Sequence, residues 1–147
     1  MGLAGVVLSN HGGRQLDFAR SGVEVLEEVM RELRKRGSFP NPAFQVMVDG
    51  GFRRGTDILK AIAMGATAVG IGRPFLYAYS AYGVDGVIHA INLLRDELEM
   101  NMRLIGARSI EELVPGMVDL SALHNHTGAV FPKQDQSVLD FMDKSRL

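Results

Sequence analysis

Three short apolar runs punctuate the first half of the chain, and longer amphipathic stretches separate them. "AGVVLS" (4–9), "AFQVMV" (43–48) and "ATAVGIG" (66–72) are brief, continuous and rich in β-branched residues, the pattern of strands covered on both faces. Between the first two lies "SGVEVLEEVMRELRKRG", where Val23, Leu26, Val29, Met30 and Leu33 recur at helical spacing and Gly37 supplies a stop. Between the second and third, "GTDILKAIAMG" offers Thr56 as an N-cap, Ile58, Leu59, Ile62 and Ala63 as a buried face, and Gly65 as the end. The order β-α-β-α-β predicts an α/β fold with parallel strands and right-handed crossovers.

Helical signals continue downstream. "PFLYAYSAYG" reads as a short helix opened by Pro74 at its first position, and Val87, Ile91, Leu94, Leu98 and Ile105 mark a long one. Ser109 and Glu112 have the spacing of a capping box for a last short helix in "SIEELV". Beyond Asp119 the signals weaken, and the stretch from about Asn125 reads as an arm or partly disordered; the chain divides into a domain of residues 1–127 and a tail of 128–147.

Composition narrows the class. With 147 residues, 46% of them hydrophobic, and a net charge of -1, the chain reads as a soluble globular domain. It falls well short of the roughly 250 residues of a complete eight-unit α/β barrel. Near-zero charge, with no long basic run beyond "RELRKRG", gives no footprint for nucleic acid or a membrane surface. No cysteine is present, so disulfides, thiolate catalysis and Cys-based metal sites are excluded. The chain has no apolar run of transmembrane length and no signal-peptide pattern at its start. The final Ser145-Arg146-Leu147 fits the small-basic-Leu pattern of a peroxisomal address, with cytoplasm and mitochondrion as alternatives.

Ligands of parallel α/β folds bind where strands deliver their C-terminal ends, and each strand here ends in chemistry. After the first comes "NHGGRQLD", after the second "DGGFRRG", after the third "GRP". Asp49, Gly50, Gly51, Phe52 and Arg53 precede a helix N-terminus, and Gly72 with Arg73 precede another. Backbone N–H groups, helix dipoles and guanidinium forks all favour a phosphate. Each loop alone reads equally as a tight turn with solvated charges; their repetition in successive βα units points to one phosphate between them. His11 is the candidate for proton transfer and Arg14, three residues on, can bind a carboxylate bidentately. The plainer readings are a structural loop histidine and a surface charge. His124 and His126 lack a neighbouring carboxylate or cysteine to complete a metal site. His89 reads as structural, Tyr77, Tyr79 and Tyr82 as packing, and Asp57 as part of a helix first turn.

"SNHGGRQLD", followed by "VDGGFRRGTDILKAIAMGATAVGIGRPFLY" and "LRDELEMNMRLIGARSIEEL", resembles the FMN-dependent 2-hydroxy acid dehydrogenase and oxidase family, which includes glycolate oxidase, lactate oxidase and flavocytochrome L-lactate dehydrogenase. The wording of "RPFLYAYSAYG" is similar to the flavocytochrome branch, and the resemblance runs from about Gly5 to Thr127. It implies a TIM (β/α)8 barrel of which this chain carries about three βα units and the C-terminal helices. It implies FMN as cofactor, a small L-2-hydroxy acid such as lactate or glycolate as substrate, and the 2-oxo acid as product. His11 would be the base and Arg14 the carboxylate clamp; Asp49, Gly50, Gly51, Phe52, Arg53, Gly72 and Arg73 would hold the ribityl chain and phosphate.

The resemblance begins inside what would be the sixth strand of such a barrel. The aspartate expected to pair with the histidine, and a lysine expected against the flavin ring, would lie upstream. Three strands cannot close a barrel, so an exposed strand edge and an exposed apolar surface are expected. They favour aggregation, homo-oligomerisation or pairing with the missing N-terminal half, and weak FMN binding by the chain alone. The alternatives are a non-catalytic remnant or interaction protein keeping the half-barrel, and a fragment of another phosphate-binding barrel.

Overall fold

The computed structural model describes residues 2–123. His124, His126, the tail from 128 and the terminal tripeptide lie outside the described residues. Strands β1 (Gly5–Leu8), β2 (Gln45–Asp49) and β3 (Ala68–Gly70) form one parallel sheet in the order β1-β2-β3. Val6 stands opposite Val46, and Val48 opposite Val69. Helix α1 (Gly22–Lys35) connects the first pair and α2 (Gly55–Met64) the second. The expected alternation is present.

Side chains alternate across a strand, and here that alternation separates a covered face from an open one. Leu8, Val46 and Val48 pack with Leu26 and Met30 of α1 and Ala61 and Met64 of α2 in one buried cluster. On the opposite face Val7 is 59% exposed and Met47 36%. The reading of strands covered on both faces is therefore corrected. All the covering elements among the described residues lie on the side of Val46 and Val48, and the other face is the one that a closed barrel turns inward.

α1 begins with a capping box: the Ser21 hydroxyl accepts from the Glu24 N–H, and the Ser21 N–H donates to Glu24 Oε2 at 2.8 Å. Its end is tied to the next unit by Arg34, whose guanidinium donates to the Met64 carbonyl. The N-cap of α2 is Arg54, not Thr56 as the sequence suggests. Asp57 is the reason, since its carboxylate reaches back to the N–H groups of Arg53 and Arg54, both at 3.0 Å, and starts the helix two residues earlier. This bears out Asp57 as a first-turn residue.

The downstream helices form one element, α3 (Arg73–Ile105), broken at Gly83 by φ 61°, ψ -146°. The short and long helices of the sequence reading correspond to its two sides. Arg73 takes the first helical position after Gly72, so Pro74 stands second rather than first. A second cluster of Leu59, Ala63, Met102, Ala107 and Leu113 seals α2 against α3 and the segment that follows. Tyr77, Tyr79 and Tyr82 are 69%, 59% and 78% exposed, so their expected packing is not found: the described residues place nothing over that side of α3. His89 is exposed on the same helix. "SIEELV" forms only a 3-10 turn, Ile110–Glu112, without a side-chain cap from Ser109. Glu112 instead accepts from the N–H and guanidinium of Arg108. No described helix is long and apolar enough to cross a membrane.

Candidate functional site

All three strands run parallel, so their C-terminal ends share one edge of the sheet, and the loops that leave them touch there. The loop after β1 makes a 3-10 turn, His11–Gly13, with Asn10 as its N-cap. Asn10 Oδ1 accepts from the Gly13 N–H at 3.2 Å, and its Nδ2 donates to the Arg20 carbonyl at 3.2 Å, pinning both ends of the loop. His11 has φ 55° and Gly12 φ 66°. The His11 N–H is held by Ser9 Oγ at 3.0 Å. A positive φ on a histidine is uncommon; His11 is exposed, and so is Arg14 in the same loop.

The second loop turns on Gly50 (φ 84°) and Gly51 (φ 88°), conformations that side chains rarely adopt. A Cβ on Gly50 would lie 2.9 Å from Asn10 Oδ1. A Cβ on Gly51 or Gly72 would meet nothing within 4 Å. The first and second loops thus touch, while open space remains over the backbone of Gly51 and Gly72. In the third loop Arg73 reaches across to donate to the Gly12 carbonyl. Gly70 closes the remaining gap, its Cβ position lying 3.0 Å from Asp49 Cβ.

Each candidate from the sequence can now be placed. His11, Arg14, Asp49, Gly50, Gly51, Arg53, Gly72 and Arg73 all lie on the loops of this edge. Phe52 differs, because the residue is 3% exposed and belongs to the core cluster. Asp49 Oδ1 is buried and has no hydrogen-bond partner among the described residues. A buried acceptor left so is costly, and it is the group a ligand hydroxyl would satisfy. Arg53 is exposed, and among the described residues its guanidinium makes no hydrogen bond or ion pair. Arg54, its neighbour, is committed elsewhere: Glu97 accepts from Arg54 Nε at 2.8 Å and pairs with Nη2 at 2.7 Å. That contact holds the Glu97 carboxyl below the ordinary range, with help from the Gly55 N–H, and holds the Arg54 guanidinium above its own.

Three contributors escaped the sequence reading. Asn10 is signalled by its place before a Gly pair; Glu97, 42 residues from Gly55, has no local signal. Gln15, one turn after His11, puts Nε2 2.9 Å from His11 Nδ1. With the amide nitrogen donating, Nδ1 is an acceptor and the neutral ring carries its proton on Nε2. Accepting a proton at Nε2 requires the other tautomer, in which Nδ1–H points to an oxygen, supplied by rotating the same amide. A cleft of about 370 Å³ nearby is lined by Ser21, Gly50, Gly51, Lys60 and Leu120 among others. It takes in the candidate residues Gly50 and Gly51 but neither His11 nor Arg73. Among the described residues no cluster suited to a metal ion is present.

A chain with this fold and with these loops on one sheet edge has similar proteins. Residues 1–120 match the model of the FMN-dependent dehydrogenases. The chain belongs to that family. It is 60% identical over 124 residues to L-lactate dehydrogenase (cytochrome) of Wickerhamomyces anomalus, covering 84% of this chain and 21% of that protein. It is 48% identical over 117 residues to glycolate oxidase 2 of Oryza sativa subsp. indica, covering 80% of this chain and 30% of that one. The flavin-binding domain of baker's yeast flavocytochrome b2 superimposes with a TM-score of 0.79 at 52% identity, over 95% of this chain and 34% of that domain's chain. The chain thus spans about a fifth to a third of the relatives it matches, and its three βα units correspond to one part of an FMN-dependent barrel.

Proposed function

We propose that this chain supplies the base, the carboxylate clamp and the phosphate-binding loops of an enzyme that oxidises a small L-2-hydroxy acid to the 2-oxo acid. The observation that carries the reading is the meeting of three strand-end loops on one edge, with Arg73 bonded to the turn that bears His11. The residues fit FMN. The buried, unpartnered Asp49 Oδ1 suits a ribityl hydroxyl, and the open backbone at Gly51 and Gly72, flanked by Arg53 and Arg73, suits the phosphate. When bound, FMN supplies the acceptor for the two electrons that leave the substrate.

In this reading Arg14 holds the substrate carboxylate and so sets which carbon faces the flavin. His11 removes a proton from the 2-hydroxy acid, and its exposed ring is accessible for that purpose. Substrates of the lactate and glycolate type are supported by the relatives' names and by an exposed arginine, Arg14, in the same loop as His11. The open sheet face at Val7 and Met47 and the exposed tyrosines of α3 support association with the remaining barrel units or with a second copy.

The test is to purify the chain, soak it with FMN, and follow its visible absorbance before and after adding L-lactate or glycolate, alone and together with the complementary N-terminal barrel units. Flavin retention and bleaching in the mixture support the reading. A mixture that assembles yet stays colourless, or holds flavin that neither acid bleaches, contradicts it.

A further inference from the structure

The chain offers one anion two adjacent guanidiniums, Arg53 and Arg54, and two helix N-termini, those of α2 and α3. The structure divides them. Glu97, in the C-terminal third of α3, accepts from the Gly55 N–H at 2.8 Å and from Arg54 Nε at 2.8 and 3.1 Å. Asp57 accepts from the N–H groups of Arg53 and Arg54. Three successive amides at the start of α2 are thereby engaged by carboxylates of the chain itself. The contact is tight, since a Cβ on Gly55 would fall 2.6 Å from Glu97 Cβ and 2.5 Å from the Leu98 nitrogen. Only glycine lets α3 come this close.

The N-terminus of α3 is the opposite case. Its N-cap is Gly72, which has no side chain to offer, its first turn carries no acid, and nothing stands within 4 Å of a Cβ built on Gly72. Donors at a helix start attract anions when no acceptor is supplied locally. One helix start is filled and the other is open.

We propose that Glu97 is a specificity-determining positioning residue: its carboxylate fills the N-terminus of α2 and engages Arg54, leaving Arg53, Arg73 and the N-terminus of α3 to the cofactor phosphate. The inference rests on the phosphate reading given above, but its claim about α2 stands or falls without flavin. Arg54 and the Gly55 N–H hold the Glu97 carboxyl below the ordinary range, which keeps it an anion through neutral pH.

The test is a titration of the isotope-labelled 147-residue chain with inorganic phosphate, read at the amide resonances of Gly55, Gly72 and Arg73 and at Arg54 Nε–Hε. In the wild type, Gly72 and Arg73 should respond while Gly55 and Arg54 stay still. In Glu97→Ala and the isosteric Glu97→Gln, Gly55 and Arg54 should acquire a saturable response, about tenfold or more stronger than in the wild type, in keeping with a vacated charge-assisted contact. Arg54→Ala should leave the Gly72 response unchanged, whereas Arg53→Ala should weaken it. A wild-type Gly55 that responds as strongly as the variants overturns the proposal, as do folded Glu97 variants with no response at Gly55. Should Glu97→Ala and Glu97→Gln not fold, loss of the Gly72 response in Arg54→Ala overturns it and its retention supports it. Silence at Gly72 and Arg73 in the wild type counts against the phosphate reading alone.

Discussion

The Arg73 guanidinium donates to the carbonyl of Gly12, 61 residues earlier, and so joins the start of α3 to the turn that presents His11. One side chain therefore links the start of α3, where the phosphate is proposed to bind, to the turn that carries the proposed base. A Cβ on Gly12 would lie 2.8 Å from Arg73 Nη2, in a residue with φ 66°. The contact depends on glycine for both space and conformation.

Arg73→Ala is expected to weaken FMN binding by about tenfold to a hundredfold, the effect of losing a hydrogen bond to a charged group. Riboflavin, which lacks the phosphate, should bind the variant and the wild type alike. Equilibrium dialysis with both flavins checks this, and an equal loss for the two would point to general unfolding rather than a lost phosphate contact.

His11→Gln keeps a side chain of similar reach but no imidazole. In the chain completed by the remaining barrel units, it should lower turnover by about a hundredfold to ten-thousandfold, the usual scale of general-base removal, with flavin content retained. Turnover close to wild type would refute His11 as the base.

Leu26 and Met30 are fully buried where α1 meets the sheet. Leu26→Ala should destabilise the chain by about 2–5 kcal/mol, read as a lower urea midpoint by circular dichroism. Val7→Thr, on the open face of β1, should leave that midpoint nearly unchanged in the chain alone.

Acid should loosen the α2–α3 contact. The Arg54 hydrogen bond, then the Gly55 N–H, lowers the Glu97 carboxyl in the folded chain. Its stabilising contribution is therefore complete above the unfolded value of about pH 4.3 and is lost as pH falls through the lower folded value. Thermal midpoints measured on descent through that window should drop, and should drop less in Glu97→Gln. Identical profiles would show that the contact adds nothing to folding.

The elements were legible because their signals are local: β-branched runs, helical spacing in α1 and α2, and glycine at Gly65. His11, Arg14 and the two glycine-rich loops could be found for the same reason, each lying directly after a strand. What escaped depends on residues distant in sequence. Nothing in "RRG" separates Arg53 from Arg54; Glu97, brought alongside by α3, does so. Thr56 looks like a cap until Asp57 takes the amides before it. An apolar strand such as β1 cannot show which face its neighbours cover, and Tyr77, Tyr79 and Tyr82 carry no mark of what they lie against.

The central claim is that these three loops form the base-bearing and phosphate-binding part of an FMN-dependent 2-hydroxy acid oxidoreductase. Its most direct test is a chimera in which this chain replaces the matching segment of the baker's yeast flavocytochrome b2 flavin-binding domain, 52% identical to it. Anaerobic addition of L-lactate should bleach the bound flavin, and the same chimera carrying His11→Gln should hold flavin that lactate leaves oxidised. A folded chimera that retains no flavin, or one in which His11→Gln bleaches as fast as its parent, would contradict the account.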